Sequence, residues 1–358
     1  MDADGERYSV DIKKIIVGGL VSLALSLSCI WIITRVTGTE SLRVNISTIG
    51  RSTILLSLLM VVASWVVDSL KLKILTSAMG GHIRVWDALK ITVAGSFIAG
   101  ITPFDSGGEP LKVYFLHKRD LGIGSATAVV TLGALLHGIS RFILWLVSPI
   151  LLLLTGTSLV FSSTAKTTIA IGVFLYVLLM GLVIAMALWP QWVEIVTEKL
   201  FGMKAIKKLV PQSLVTAILD KVETTVREFR DGMSRVKESG RHAVIALLLS
   251  VLYWLFVISV PVLLVRSMVP QVPYAQVFFV TITVYLIMAF IPTPGSSGGA
   301  EAGSAYFFSS ILPSRLLGGF VIVWRIVTYY FTMLAGAIVV AMETINWSMN
   351  KSQPSRVE

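Results

Sequence analysis

The sequence predicts an all-α integral membrane protein with about six full transmembrane helices plus two re-entrant helical hairpins, arranged as an inverted repeat. Three observations predict this fold. The chain is 55% hydrophobic and only 14% charged, with a mean hydropathy of +0.83, which is far more apolar than a soluble domain of this length. Apolar stretches of membrane-spanning length recur along it. Two further apolar regions are interrupted by the same kind of motif, rich in Pro and Gly and followed by a glutamate.

Six uninterrupted stretches are long enough to cross the hydrocarbon core of a bilayer, which takes about 20 helical residues. They are Ile15–Ile33, Ser52–Leu70, Ala126–Leu154, Thr168–Trp189, Ala243–Val265 and Leu316–Met342. The first follows a segment of mixed charge and is not followed by a small-residue cleavage site. We therefore expect it to remain as a span and not to be removed as a signal peptide.

The interrupted regions are Ala88–Phe115 and Gln276–Leu312. In each, the limb before the break has about 15 residues and reaches only about 22 Å, too short to span. Length alone allows either a broken helix that crosses or a hairpin that enters and leaves by one face. Basic residues occur both before the first region, up to Lys90, and after it, from Lys112 to Arg119. The positive-inside rule places both sides in the cytoplasm, which favours the hairpin.

The same rule organises the whole chain and places both termini in the cytoplasm. The predicted parts begin with a tail, 1–14, and a segment, 15–190, that holds the first repeat with its hairpin 86–118 and also the first span of the second repeat, 168–189. A cytoplasmic linker, 191–241, follows. The rest of the second repeat, 242–343, contains hairpin 275–312, and a tail, 344–358, ends the chain. Span, span, hairpin and span then occur twice in opposite orientations. Such inverted repeats are typical of transporters with a central site.

The repeat is visible in the motifs themselves. "PFDSGG" from Pro103 corresponds to "PGSSGG" from Pro294, and Glu109 or Glu301 follows. The residues predicted to form the breaks are Pro103, Ser106, Gly107, Gly108, Pro292, Pro294, Gly298 and Gly299. Proline ends the incoming limb because it lacks a backbone donor, and glycine permits a sharp reversal. The outgoing limb then directs free N–H groups at the break, which suits an anion.

Glu109 and Glu301 are expensive at membrane depth unless paired, and Arg141 and Arg325 in the following spans are the candidate partners. Ser106 and Glu109 also have capping-box spacing, so Glu109 could simply cap a helix. In the second copy the spacing from serine to glutamate is one residue longer, which favours function over capping. For the arginines, a structural ion pair and a substrate role stay open, as does the question of which glutamate pairs with which arginine.

Several residues near the motifs are less strongly indicated as site residues. Asp105, Tyr114, Tyr306 and His137 are possible site residues, although Asp105 could be a turn residue, the tyrosines interfacial anchors and His137 a polar neighbour. Asp68, near the cytoplasmic end of its span and close to Lys71 and Lys73, is expected to form an ion pair at the membrane surface.

The linker is the only sizeable polar segment. Its apolar residues recur at helical spacing and predict an amphipathic helix that packs on the cytoplasmic face or lies on anionic lipid. They are Val215, Ile218, Leu219, Val222, Val226 and Phe229. We assign this helix a docking role.

The two break motifs and the downstream arginines resemble the transmembrane flippase domain of the lysylphosphatidylglycerol synthase family. The resemblance extends from about Ile15 to Met342, with its specific part in the motifs. It implies translocation of lipid between leaflets, with the two glutamates and two arginines lining a central cavity. Larger members add a soluble aminoacyltransferase domain, which we expect to be missing here, so we expect no lysyltransferase activity.

The predicted function is therefore a lipid flippase or scramblase of the cell membrane whose substrate is a phospholipid, an aminoacylated phospholipid or a polyprenyl-phosphate lipid. Three alternatives stay open: a non-transporting membrane subunit of a lipid-linked glycosyltransferase or lipid-modifying enzyme, a membrane enzyme acting on a lipid carrier, and an ion-coupled small-solute transporter. One cysteine, four histidines and no Walker-type loop predict no metal and no cofactor. The net charge of +10 fits cytoplasmic loops better than a nucleic-acid partner.

Overall fold

The computed structural model describes residues 24–29, 31–32, 35, 49–159, 161–202, 212–238 and 240–351. All regular structure in these residues is helical, which confirms the predicted all-α class. From residue 51 onward the helices are α1 Arg51–Ala78, α2 Val85–Gly100, α3 Gly108–His117, α4 Ile123–Leu154, α5 Ser163–Leu188, α6 Gln191–Gly202, α7 Gln212–Glu238, α8 Gly240–Met268, α9 Tyr274–Met288, α10 Gly299–Phe308, α11 Ser314–Arg325 and α12 Phe331–Lys351.

Within the described part of the chain, five helical segments are long and apolar enough to cross a membrane. They are α1, α4, α5, α8 and the segment Ser314–Glu343, which joins α11 to α12 through a π-helical turn at Ile326–Tyr330. Each contains one predicted span, to within a residue at its ends. The other predicted span, Ile15–Ile33, lies mostly outside the described residues, although residues 24–29 are helical.

Both interrupted regions are broken where the sequence predicts. Helices α2 and α3 are separated by a 3₁₀ turn at Pro103–Asp105, and α9 and α10 by one at Pro294–Ser296. The incoming limbs have 16 and 15 residues and the outgoing limbs 10 each. The two limbs of each region pack against one another. In the first, a Cβ on Gly108 would lie 2.7 Å from the carbonyl oxygen of Gly95, so only glycine permits this approach.

The two halves of the chain interlock. Helix α1 packs on α8, its counterpart in the predicted repeat, while α2 packs on α12 and α9 on α4. The last two contacts exchange equivalent elements, as expected for halves related by a pseudo-two-fold axis. The orientation of each half in a bilayer stays a prediction.

Helix α7 of the linker packs on the membrane-spanning helices, mainly on α4. Val215, Val226 and Phe229 are buried, as their spacing predicts. Two of its charged residues also meet helix ends. Glu228 accepts a hydrogen bond from the Gly124 N–H (2.8 Å) in the first turn of α4, and Arg235 donates to the carbonyl oxygen of Met79 (3.2 Å) at the end of α1. Each charge complements the dipole of the helix end that it contacts.

Candidate functional site

The two breaks have the same backbone turn and contact each other. Phe104 and Asp105 have φ values of 55° and 54°, and the equivalent Gly295 and Ser296 have 58° and 52°. A Cβ on Gly295 would lie 2.6 Å from the carbonyl oxygen of Gly100, so glycine is required where the breaks touch. The sequence repeat is therefore also a repeat of local conformation up to this point.

The second break is built around a buried ion pair. Arg325 Nε lies 2.9 Å from Glu301 Oε1, and the two side chains are 4% and 0% exposed. Arg325 Nη2 also donates to the carbonyl oxygen of Gly295 (3.3 Å) and to Ser297 Oγ (3.2 Å), and its guanidinium lies 4.0 Å from the centre of the Tyr329 ring. The arginine thus joins the break to the span that follows it.

Glu301 has further partners on the break itself and on the first predicted span. Its Oε2 accepts the Gly298 N–H (2.7 Å) and so caps α10, while Ser26 Oγ donates to Oε1. Tyr330 OH donates to Ser26 Oγ in turn (2.7 Å). Gly298 is the N-cap and Glu301 is at N3, so this carboxylate caps the helix although the serine-to-glutamate spacing of a capping box is absent from the second copy. That Glu301 also has a function stays a prediction.

Glu109 in the first break has a different environment. Ser106 Oγ donates to the carbonyl oxygen of Pro103 (2.8 Å), and no side chain caps α3, so the capping box suggested by the Ser106–Glu109 spacing is not formed. Glu109 follows the N-cap Gly107 by two residues, whereas Glu301 follows Gly298 by three. One residue rotates a side chain by about 100° around the helix, so the two glutamates point in different directions. Among the described residues, no cation lies within ion-pair distance of Glu109.

A second buried charge cluster lies beside Glu109. Asp68 Oδ1 is 2.6 Å from Lys71 Nζ and 2.8 Å from His137 Nε2. Asp68 and Lys71 are only 6% and 4% exposed, so the expected surface ion pair is wrong about location although it names the correct partner. With Glu109 and Lys112 they line a small polar cavity of about 30 Å³, enough for a water molecule.

Arg141 is not paired with a carboxylate in the described part of the chain. Its Nε donates to Tyr176 OH (3.2 Å) and its Nη1 to the carbonyl oxygen of Tyr285 (3.0 Å). The guanidinium lies 5.1 and 5.0 Å from the ring centres of Tyr176 and Trp254. Aromatic faces stabilise a cation without neutralising it, so Arg141 retains its capacity for an anion. The sequence leaves open which glutamate pairs with which arginine, and among the described residues the pair that forms is Glu301–Arg325.

A central cavity of about 270 Å³ lies where the breaks meet. Both halves contribute polar side chains to it: Ser64, Ser96, Asp105, Tyr253, Tyr285, Ser296, Arg325, Thr328, Tyr329 and Thr332. Asp105, treated in the sequence as a possible turn residue, serves both as part of the turn and as a carboxylate in this cavity. We call this space the central cavity below.

A larger groove of about 780 Å³ lies on the other side of the first break, between α3, α4 and α5. Its lining is mainly apolar, with Glu109, Tyr114 and His117 among the few polar groups. Tyr114 is thus a groove residue. Tyr306, its counterpart, is exposed, with its hydroxyl 3.2 Å from Ser162 Oγ. We call this space the lateral groove.

Within the described residues, no three His, Cys, Asp or Glu side chains are close enough together to hold a metal ion. Lys71, Lys112 and Ser26 are the site residues that sequence reasoning missed. Asp68 and Lys71 carried a usable signal, an acid and a base three residues apart inside an otherwise apolar stretch.

Comparison with known proteins identifies the family. A family described as the lysylphosphatidylglycerol synthase TM region matches residues 19–336, which include both breaks and both arginines. A protein of Archaeoglobus fulgidus named UPF0104 membrane protein is 28% identical over 309 residues, covering 84% of this chain and 88% of that protein. The resemblance seen in the break motifs is confirmed, and this multi-pass membrane protein belongs to the lysylphosphatidylglycerol synthase transmembrane-region family.

Proposed function

We propose that this protein translocates a lipid between the leaflets of the cell membrane. The observation that supports the proposal best is the pair of compartments beside the first break: half of the residues that line the central cavity are polar, Asp105 among them, and the lateral groove is mainly apolar. A lipid has a polar headgroup and apolar chains, so it needs both kinds of surface at once. A closed polar site for a small solute would not need the groove.

The pattern of charge pairing supports the same assignment. Glu301 with Arg325 and Asp68 with Lys71 are neutralised within the chain, and such buried pairs are mainly architectural. Arg141 and Glu109 have no partner of opposite charge within ion-pair distance among the described residues. We assign the phosphate of the headgroup to Arg141, and any amine that it carries to Glu109. The headgroup is then that of a phospholipid, an aminoacylated phospholipid or a polyprenyl phosphate.

Translocation in this proposal is a rocking of the two halves about their shared contacts, which opens the central cavity to each leaflet in turn. The helices involved are α1 and α8, which pack face to face. Protonation of a glutamate is a possible coupling step. The proposal makes the protein a transporter and not an enzyme, with both termini in the cytoplasm according to the distribution of loop charge.

The test is the transbilayer movement of fluorescent lipids in liposomes that contain the purified protein. The panel includes anionic, aminoacylated and polyprenyl-phosphate headgroups. We compare the wild type with Glu109→Gln, which removes a charge that no ion pair in the described structure needs. The matched control is Glu223→Gln, the same change at an exposed position of α7.

We expect the wild type to move at least one lipid class. Glu109→Gln should slow that movement about tenfold or more, because a charge-assisted contact with the headgroup is lost, and the control should not slow it. If Glu109→Gln moves lipid as fast as the wild type, the assignment of Glu109 is wrong. If the wild type moves no lipid in the panel, the proposal fails, and a membrane subunit that positions a lipid-modifying enzyme or glycosyltransferase through α7 becomes the better explanation.

A further inference from the structure

The two breaks share a backbone turn but differ in what holds them. The second break is anchored by other elements: Arg325 of α11 donates to Gly295 and Ser297, and Cys29 Sγ lies 3.3 Å from the carbonyl oxygen of Gly298. Gly295, Ser296 and Ser297 are all buried. Movement of this break would expose the Glu301–Arg325 pair, so it is fixed in place.

In the first break, the hydrogen bonds that the described structure gives Pro103–Ser106 lie within its own region, whereas Gly100, just before the turn, accepts one from Tyr329 OH (2.9 Å). Thr102 Oγ1 accepts the Gly107 N–H (2.9 Å) and donates to the carbonyl oxygen of Ile98 (2.9 Å), while Ser106 bonds back to Pro103. The four residues from Pro103 to Ser106 are exposed, and the side chain of Phe104 is 59% exposed. This turn can therefore move as a unit without breaking a hydrogen bond to another helix.

The first break is also the more strained of the two. Phe104 and Asp105 both have positive φ, and the second break has glycine at the first of these positions. At a non-glycine residue, the left-handed conformation is about five- to thirtyfold less populated than the right-handed one. It is least expected at a bulky residue such as Phe104. Strain of this kind is characteristic of switch segments and active sites.

The position of this strained turn gives it a role. Ile98, Gly107 and Glu109 line the lateral groove, whereas Gly100 and Asp105 line the central cavity. The segment from Ile98 to Glu109 thus contributes residues to both compartments, and the turn, with Asp105 in the central cavity, lies within it. We propose that Pro103–Ser106 is a gate, closed in this structure, whose opening relieves the strain at Phe104 and joins the lateral groove to the central cavity. This inference rests on the proposed function, because it defines the route by which a lipid headgroup passes Glu109.

The test separates strain from side-chain bulk. Phe104→Ala removes the ring and keeps a strained non-glycine residue, whereas Phe104→Gly removes the ring and the strain together. Gate opening is read from the rate at which a thiol reagent modifies Ser96→Cys in the central cavity, in a background where Cys29→Ser removes the native cysteine. Ser296→Gly relieves similar strain in the anchored break and serves as the matched control.

Because glycine stabilises the closed gate, we expect labelling about fivefold or more slower in Phe104→Gly than in Phe104→Ala, and Ser296→Gly to label like the parent protein. Equal labelling of the two Phe104 variants overturns the gate. A slowing in Ser296→Gly as large as that in Phe104→Gly also overturns it, because the effect would then not be specific to the first break.

Lipid movement, measured in liposomes with the same variants, is the second readout. A parallel slowing of labelling and lipid movement in Phe104→Gly supports both the gate and the proposed function. A labelling difference without lipid movement in the parent protein leaves the gate standing as a conformational device and overturns lipid translocation.

Discussion

The buried ion pair of Glu301 and Arg325 makes a prediction that depends only on the structure. Glu301→Gln preserves the shape of the side chain, and its amide oxygen can still accept the Gly298 N–H. The change removes the charge and places an NH2 group, which cannot accept a hydrogen bond, where Oε1 meets Arg325 Nε and Ser26 Oγ. Arg325 is then left with the carbonyl oxygen of Gly295, Ser297 Oγ and the Tyr329 ring. Removing one partner of a buried pair costs about 3–5 kcal/mol because the remaining charge is uncompensated. We expect a loss of that size in the free energy of unfolding.

The assay is denaturant unfolding in detergent micelles, with two comparisons. The double variant Glu301→Gln/Arg325→Met removes both charges and should recover about 2 kcal/mol or more of the loss. The control is Glu343→Gln, which breaks the 2.7 Å ion pair with Lys90. Its side chains are 23–25% exposed, so the expected cost is about 1 kcal/mol or less. The reasoning is refuted if Glu301→Gln costs no more than Glu343→Gln, or if the double variant is no more stable than the single one.

Two further predictions concern backbone contacts and helix ends. Gly295→Ala should destabilise the protein by more than about 2 kcal/mol, because Gly295 has positive φ and the new Cβ would meet the carbonyl oxygen of Gly100. The control is Gly181→Ala, whose Cβ would have nothing within 4 Å and which should be neutral or stabilising by up to about 1 kcal/mol. Unfolding in detergent measures both changes. Glu228→Ala and Arg235→Met should each lower the free energy of unfolding by about 1 kcal/mol, because each loses a charged contact at a helix end. Glu228→Ala should also speed amide hydrogen exchange in the first turn of α4. Unchanged exchange there would contradict the capping role of Glu228.

The sequence predicts the spans and the breaks well because both depend on local physics. An apolar run of about 20 residues has few stable outcomes other than a spanning helix. Pro103 and Pro294 lack a backbone donor, and the glycines that follow permit the turn, so the breaks fall at the motifs in both copies. The helical spacing of the linker predicts its buried face, including Val226 and Phe229, for the same reason.

Pairing between distant residues is less predictable. The sequence leaves the partner of Arg325 open because the separation along the chain from Glu301 to Arg325 differs from the separation from Glu109 to Arg141. The sequence predicts a surface position for Asp68 because it lies near the end of an apolar run, whereas α1 continues to Ala78 and Asp68 is buried. Both errors concern tertiary position, which a single apolar pattern does not specify.

The equivalent glutamates of the two copies therefore have different surroundings, and the difference arises from one residue of register. Glu301, at N3, turns toward Arg325 and Gly298, and its charge is used to hold a break in place. Glu109, at N2, turns toward a groove and a small polar cavity, and in the described structure its charge is not committed to an ion pair. Loss of activity in Glu301→Gln would consequently be ambiguous, because an unfolded break also stops transport. Loss of activity in Glu109→Gln with unchanged stability is the result that assigns a ligand to the first copy, and the proposed gate lies in that same copy.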